Sequence, residues 1–172
     1  MATEDNAVVR YGCAFCRSGS EDAVARQIGL LYSPIFAFSV YQEKHKSTNG
    51  NRSIICERIL PGYVFFATDI HCPVDLFLNI PALIRVLRYS NNEWMLDSLD
   101  EKYAKWIIDN EGIIRVSEAK RIGDNVVFTS GYLKNYRGNI LKIDKHNRNC
   151  LTQLVFGGVA FMRWIPFVFV DN

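Results

Sequence analysis

The chain has 172 residues, room for one domain or two small ones, and its 49% hydrophobic and 13% aromatic content demands a buried core and excludes global disorder. The net charge of +2 hides an asymmetry: residues 1–119 carry 12 Lys/Arg against 15 Asp/Glu (−3), residues 120–172 carry 8 against 3 (+5). That split suits two units with different partners, the basic one facing a polyanion, although a basic face can also serve solubility alone.

The acidic start MATEDN lacks the cationic region of a secretory leader. No apolar run is long enough to span a bilayer; VAFMRWIPFVFV is short and broken by Arg163 and Pro166. A cytoplasmic protein without a membrane partner is expected. VVRYGCAFC, Val8 to Cys16, reads as a first strand. Its Cys13 and Cys16 form a lone CxxC, and a strand sends residues three apart to opposite faces. Buried thiols are therefore expected, with no metal, and the five scattered cysteines give no disulfide framework.

RSGSEDAVARQIGLLY switches to a helical period, with Val24, Ile28 and Leu31 on one stripe. Ser18 with Glu21 has capping-box spacing, and Ser20 is the alternative N-cap. FAFSVYQEKHK is a strand that runs into the polar turn STNGN. SIICERI and YVFFA are strands on either side of Pro61-Gly62. Pro73 opens a short helix with Val74, Phe77 and Leu78 buried, and ALIRVLRY, Ala82 to Tyr89, is another strand. A second capping box, Ser98 with Glu101, starts a helix whose apolar face is Tyr103, Trp106 and Ile107, with Gly112 at C′. Helices among short strands predict an α+β sandwich on a mainly antiparallel sheet.

From Ile114 onward only short strands and glycine turns remain, and Gly157-Gly158 marks a two-residue hairpin. A small β-barrel is the natural closure. The expected domains are 1–112, a linker 113–119, and the barrel 120–172. Within the barrel, VVFTSGYLKNYRGNILKID reads as strand, glycine turn, basic loop, glycine, strand, followed by KHNRN.

Three segments in order resemble the NusG family. RYGCAFCRSGSED is similar to the opening of its amino-terminal NGN domain, RILPGYVFFATD to that domain's Phe-Pro-Gly-Tyr-Val strand, and Val126 to Asp144 to the KOW motif. GYLKNYRGNILKIDKHNR further resembles the KOW domain of the LoaP antitermination factors. The resemblance implies an NGN-type sandwich followed by a KOW barrel. It implies binding of the clamp helices of bacterial RNA polymerase by the first domain and of an RNA hairpin in the nascent transcript by the second. Processive antitermination by a monomer would follow. There are departures: Tyr11 stands where Trp is usual, Leu60 where Phe is common, and Phe156-Gly157-Gly158 lacks the Arg of the family's Phe-Gly-Arg turn. That turn serves contacts to Rho and a small-subunit ribosomal protein in NusG. A general elongation factor whose KOW domain binds such proteins is the alternative.

By family position Leu60, Pro61, Gly62, Tyr63 and Phe65 are the expected polymerase-binding residues. Strand alternation puts Tyr63 and Phe65 on one face, a patch for a partner or part of the core. Lys134, Arg137, Lys142, Lys145, His146 and Arg148 are the expected RNA-binding residues, since basic side chains on a glycine-bounded loop approach phosphates closely. Tyr132 and Tyr136 either stack on unpaired bases or cover the barrel mouth. The cluster Lys44, His45, Lys46 and Arg52 reads as a charged hairpin tip. No phosphate-binding loop, nucleophile elbow or zinc-protease signature occurs, so no catalytic residue and no cofactor are expected.

Overall fold

The computed structural model describes residues 9–33, 35–89, 91–136 and 139–170, apart from the Arg52 side chain. It divides into two compact units, Met1–Val40 with Arg58–Gly112, and Tyr41–Glu57 with Ile113–Asn172. The architecture is α+β and dominated by sheet.

In the first unit β1 (Val9–Cys16), β2 (Ile35–Ser39), β5 (Tyr63–Asp69) and β6 (Leu83–Val86) form a sheet of order β2-β5-β1-β6. Every pairing in it is antiparallel. Helix α1 (Glu21–Leu31) and a 3-10 helix (Val74–Asn79) cover one face, where Val24, Ile28, Phe77 and Trp94 pack on Ala14, Val64 and Phe66. The close pairing of β1 and β5 needs Gly12, because a Cβ there would meet the Phe66 ring at 2.2 Å. Helix α2 (Ser98–Asp109) packs on β1 and β5 through buried Ala104 and Ile107.

Several local expectations are corrected. Helix α1 is capped by Ser20 without a side-chain bond, so Ser18 and Glu21 form no capping box. Glu21 is instead fully buried and turned to another task, described below. Asp97, not Ser98, is the N-cap of α2. Leu78 is exposed because Pro73 opens a 3-10 helix, whose three-residue turn keeps Val74 and Phe77 on one face and leaves Leu78 off it. Strand β6 spans four residues, shorter than expected. Gly112 does end the α2 segment: its N–H bonds the Ile107 carbonyl at 2.8 Å, and its φ of +76° suits glycine.

The second unit contains β3 (Tyr41–Thr48), β4 (Asn51–Arg58), β7 (Ile113–Ile114), β8 (Ser117–Ile122), β9 (Asn125–Ser130), helix α3 (Gly131–Asn135), β10 (Asn139–Asp144), β11 (Asn149–Phe156) and β12 (Val159–Phe169). Five strands lie in the order β10-β11-β12-β8-β9, and β4-β3-β7 form a smaller sheet. Residues 41–57 were expected within the first domain, yet they group here. β3 pairs in parallel with β7, Gln42 Nε2 donates to the Trp164 carbonyl, and the Val116 N–H donates to Glu43 at 2.8 Å. The core holds Ile114, Ala119, Cys150, Leu154, Phe156, Ile165 and Phe167. At the Gly157-Gly158 turn both φ values are positive, the geometry of a tight hairpin.

Candidate functional site

Leu60-Pro61-Gly62-Tyr63 is a type II turn. Pro61 supplies the fixed φ of the second position, Gly62 has φ +87°, and the Tyr63 N–H donates to the Leu60 carbonyl at 3.1 Å. An ionic lock centred on the buried Glu21 holds this turn to the start of α1. Glu21 Oε1 accepts from the Gly62 N–H at 2.7 Å and Oε2 from the Gly19 N–H at 2.8 Å. Arg58 closes the lock with Nη1 at 3.0 Å from Glu21 and Nη2 at 2.6 Å from Asp22. The Gly62 carbonyl then accepts from Cys16 at the end of β1.

The expected polymerase-contact residues divide between surface and interior. Leu60 and Gly62 are buried, and Phe65 is 0% exposed with its ring edge-on to Tyr103 at 5.7 Å. Phe65 was expected at the outer face of β5, but α2 covers that face, so both faces of this strand are core. Pro61 is exposed and Tyr63 half-buried. Beside Tyr63 the pairing brings two residues that sequence reasoning missed. Phe15 is opposite Tyr63 on β1, its ring 5.2 Å away and edge-on, and Arg85 of β6 lies over the Phe15 ring at 5.9 Å. Tyr63, Phe15 and Arg85 thus form one cross-strand row of two half-buried rings and an exposed cation. Alternation within RYGCAFC placed Phe15 on this face; its partners depended on a strand order that no local pattern reveals.

Cys13 and Cys16 are both buried and free. Burial pushes the Cys13 thiol well up, and it pushes Cys16 up to about 11 with help from the charge of Glu21. Neither is a poised nucleophile. Among the described residues no cluster of three or more His, Cys, Asp or Glu could hold a metal.

In the second unit the basic loop is partly helical. Gly131 opens α3 with φ +74°, and a Cβ there would lie 2.8 Å from Ser117 Cα and Oγ. Ser117 Oγ in turn accepts the Leu133 N–H at 3.0 Å. This glycine therefore serves close packing of α3 on β8, in addition to any role in presenting a loop. Tyr132 is buried and Tyr136 half-buried, with ring centroids 5.0 Å apart, and the Tyr136 hydroxyl donates to the Gln153 carbonyl. Of the two readings of this pair, cover for the interior is the one the geometry takes.

Lys134 is exposed at the end of α3. Lys142 is exposed on β10, beyond a register shift between Ile140 and Lys142. Lys145 and His146 are exposed in the β10–β11 turn, and the Lys145 ammonium donates to the Asp124 carbonyl in the β8–β9 turn. Arg148 is half-buried with φ +55°, and its carbonyl accepts from Phe167. Arg137 and Gly138 lie outside the described residues. Lys142, Lys145 and His146 are thus brought to one end of β10. Lys134 stands apart, at the start of the segment that enters the strand. Asp144 accepts from the Asn147 backbone N–H at 2.8 Å and from its side chain at 2.9 Å, which hold its carboxyl below the usual range. It stays ionised, but its oxygens are turned into the turn.

No protein-family model and no curated protein sequence matches the chain. A solved structure does, that of Thermotoga maritima NusG, reported for the domain interaction in that protein. The match has a TM-score of 0.53 at 14% identity and covers 92% of this chain and 94% of that one. The chain has a NusG-like fold. The likeness covers enough of the chain to run through both units. Among the described residues no helix is long and apolar enough to cross a membrane.

Proposed function

We propose that the chain is a NusG-type transcription elongation and processive antitermination factor of the LoaP kind, working as a monomer in the cytoplasm. Its first unit binds the clamp helices of bacterial RNA polymerase, and its second unit, a KOW barrel, binds an RNA hairpin in the nascent transcript. The role is binding, not catalysis. The observation that carries the reading is the NusG-like fold across nearly the full length of both chains. The charge division adds to it, −3 before Lys120 and +5 from there on, as does the exposure of Lys134, Lys142, Lys145 and His146.

On the polymerase side the exposed Pro61 and the half-buried Tyr63, extended by Phe15 and Arg85, make the contact, while Leu60, Gly62 and Phe65 hold it from beneath. Holding polymerase with one unit makes RNA capture by the other intramolecular and raises its effective concentration. A clamp bridged to its transcript resists opening at pauses and terminators.

The alternative is a general elongation factor whose second unit binds a protein. Val155 and Val159, both about half exposed beside the Gly157-Gly158 turn, favour it. Readthrough of a terminator by purified polymerase, with and without an upstream hairpin, separates the two. Antitermination predicts readthrough that requires both the protein and the hairpin. An effect indifferent to the hairpin would favour the general factor, and no effect on elongation or termination would overturn both.

A further inference from the structure

Outward residues of β10, β11 and β12 line up in rows across the three strands. One row is Asn139, Gln153 and Met162, and the next is Lys142, Leu151 and Trp164. Asn139 Nδ2 donates to Gln153 Oε1 at 3.2 Å, so those two side chains share the face. The alternate residues Cys150, Thr152 and Leu154 are buried. Trp164 is 43% and Met162 46% exposed, although large aromatic side chains contribute most when buried. The interior does not lack rings: Phe128 and Phe169 both pack edge-on to buried Phe167, at 5.5 and 5.3 Å.

We propose that Trp164, with Met162 beside it, is a stacking platform for an unpaired nucleobase, and that Lys142 in the same row takes that nucleotide's phosphate. The proposal rests on the RNA-binding reading above and adds the ligand class: RNA that presents an unstacked base in a loop or bulge, not a plain duplex. Two interstrand steps separate Lys142 from Trp164, about 10 Å between backbones, a gap that a lysine stem and a nucleotide fill together. An indole face accepts any base, and stacking on it is sequence-tolerant.

Charge favours nucleic acid over protein as the occupant. Trp and Met are common in protein interfaces, but lysine is depleted from their cores, and here lysine shares the row with the indole. Lys145 extends the positive edge at the end of β10, with the exposed His146 beside it. Among the outward residues described on these strands the one carboxylate is Asp144, and its oxygens are engaged by Asn147. Tyr132 and Tyr136 cannot take the role, since they pack on each other and the first is buried.

The test is binding of the full chain to two RNAs of equal length, a hairpin with an unpaired loop and a fully paired duplex. Trp164→Ala should weaken hairpin binding about 5- to 100-fold and leave duplex binding within about two-fold. Trp164→Phe should keep most of the hairpin affinity, while Lys142→Ala should weaken both RNAs. Making the loop nucleotides abasic should cost the unsubstituted protein the same factor as Trp164→Ala, a readout independent of how the variant folds. Equal affinity for abasic and intact loops would overturn the platform while leaving RNA binding in place. Failure of the unsubstituted chain to bind either RNA would remove the RNA reading and the platform with it.

Discussion

Glu21 shows how far a single residue can depart from its local pattern. Its spacing from Ser18 is that of a capping box, and the helix does start there. Yet the carboxylate is buried and serves two backbone amides, Gly19 and Gly62, together with Arg58, which lies 37 positions along the chain. The sequence could show an acid at a helix start but not the turn that folds back onto it. Removing the carboxylate leaves the Gly19 and Gly62 amides without their acceptor in a desolvated place, while the partly exposed Arg58 keeps its pairing with Asp22. Glu21→Ala should therefore cost about 2–4 kcal/mol, read as a lower urea midpoint. Glu21→Gln, which keeps an acceptor oxygen, should cost less. A change under about 1 kcal/mol for Glu21→Ala would mean that water replaces the lock.

Elements were legible where one local period decided them. Val24 and Ile28 gave the buried stripe of α1, although Leu31, expected on it, is exposed at the helix end, and the doublet Gly157-Gly158 gave the β11–β12 hairpin. Elements failed where a distant partner decided. Phe65 reads as an outward residue of β5 until α2 is laid across it, and the strand Tyr41–Thr48 reads as a continuation of β2 until β7 pairs with it. Glycines make the same distinction testable. Gly131 combines φ +74° with contact against Ser117, whereas Gly29 sits in α1 with open space around its Cα. Gly131→Ala should destabilise the chain by about 1–3 kcal/mol, by strain at α3 and loss of the Leu133 to Ser117 bond. Gly29→Ala should stabilise it by about 0.5–1 kcal/mol through helix propensity. Paired urea midpoints check both, and equal effects would refute the assignment of Gly131 to close packing.

At the scale of the whole molecule, the second unit is assembled from two separated stretches of chain, so a fragment beginning at residue 113 would lack the Gln42 and Glu43 bonds. The full chain is the proper object for measuring its RNA affinity. The six basic candidates then divide by environment: Lys134, Lys142, Lys145 and His146 are exposed, Arg148 is half-buried, and Arg137 lies outside the described residues. Each phosphate neutralised releases condensed counterions, so log K falls with log salt in proportion to the number of contacts. With about three to five contacts the slope for a hairpin should lie near −3 to −4. Lys142→Ala and Lys134→Ala should each make it shallower by about one, and Arg148→Ala should change it less because that side chain is already partly enclosed. None of the three should alter polymerase binding, since the candidate contacts on that side belong to the first unit. Anisotropy titrations of the hairpin at several salt concentrations give the slopes, and pull-down of purified polymerase gives the second readout. A slope near zero would mean that the basic strip does not meet phosphates. Parallel loss of RNA and polymerase binding in Lys142→Ala would mean that the two tasks are not divided between the units.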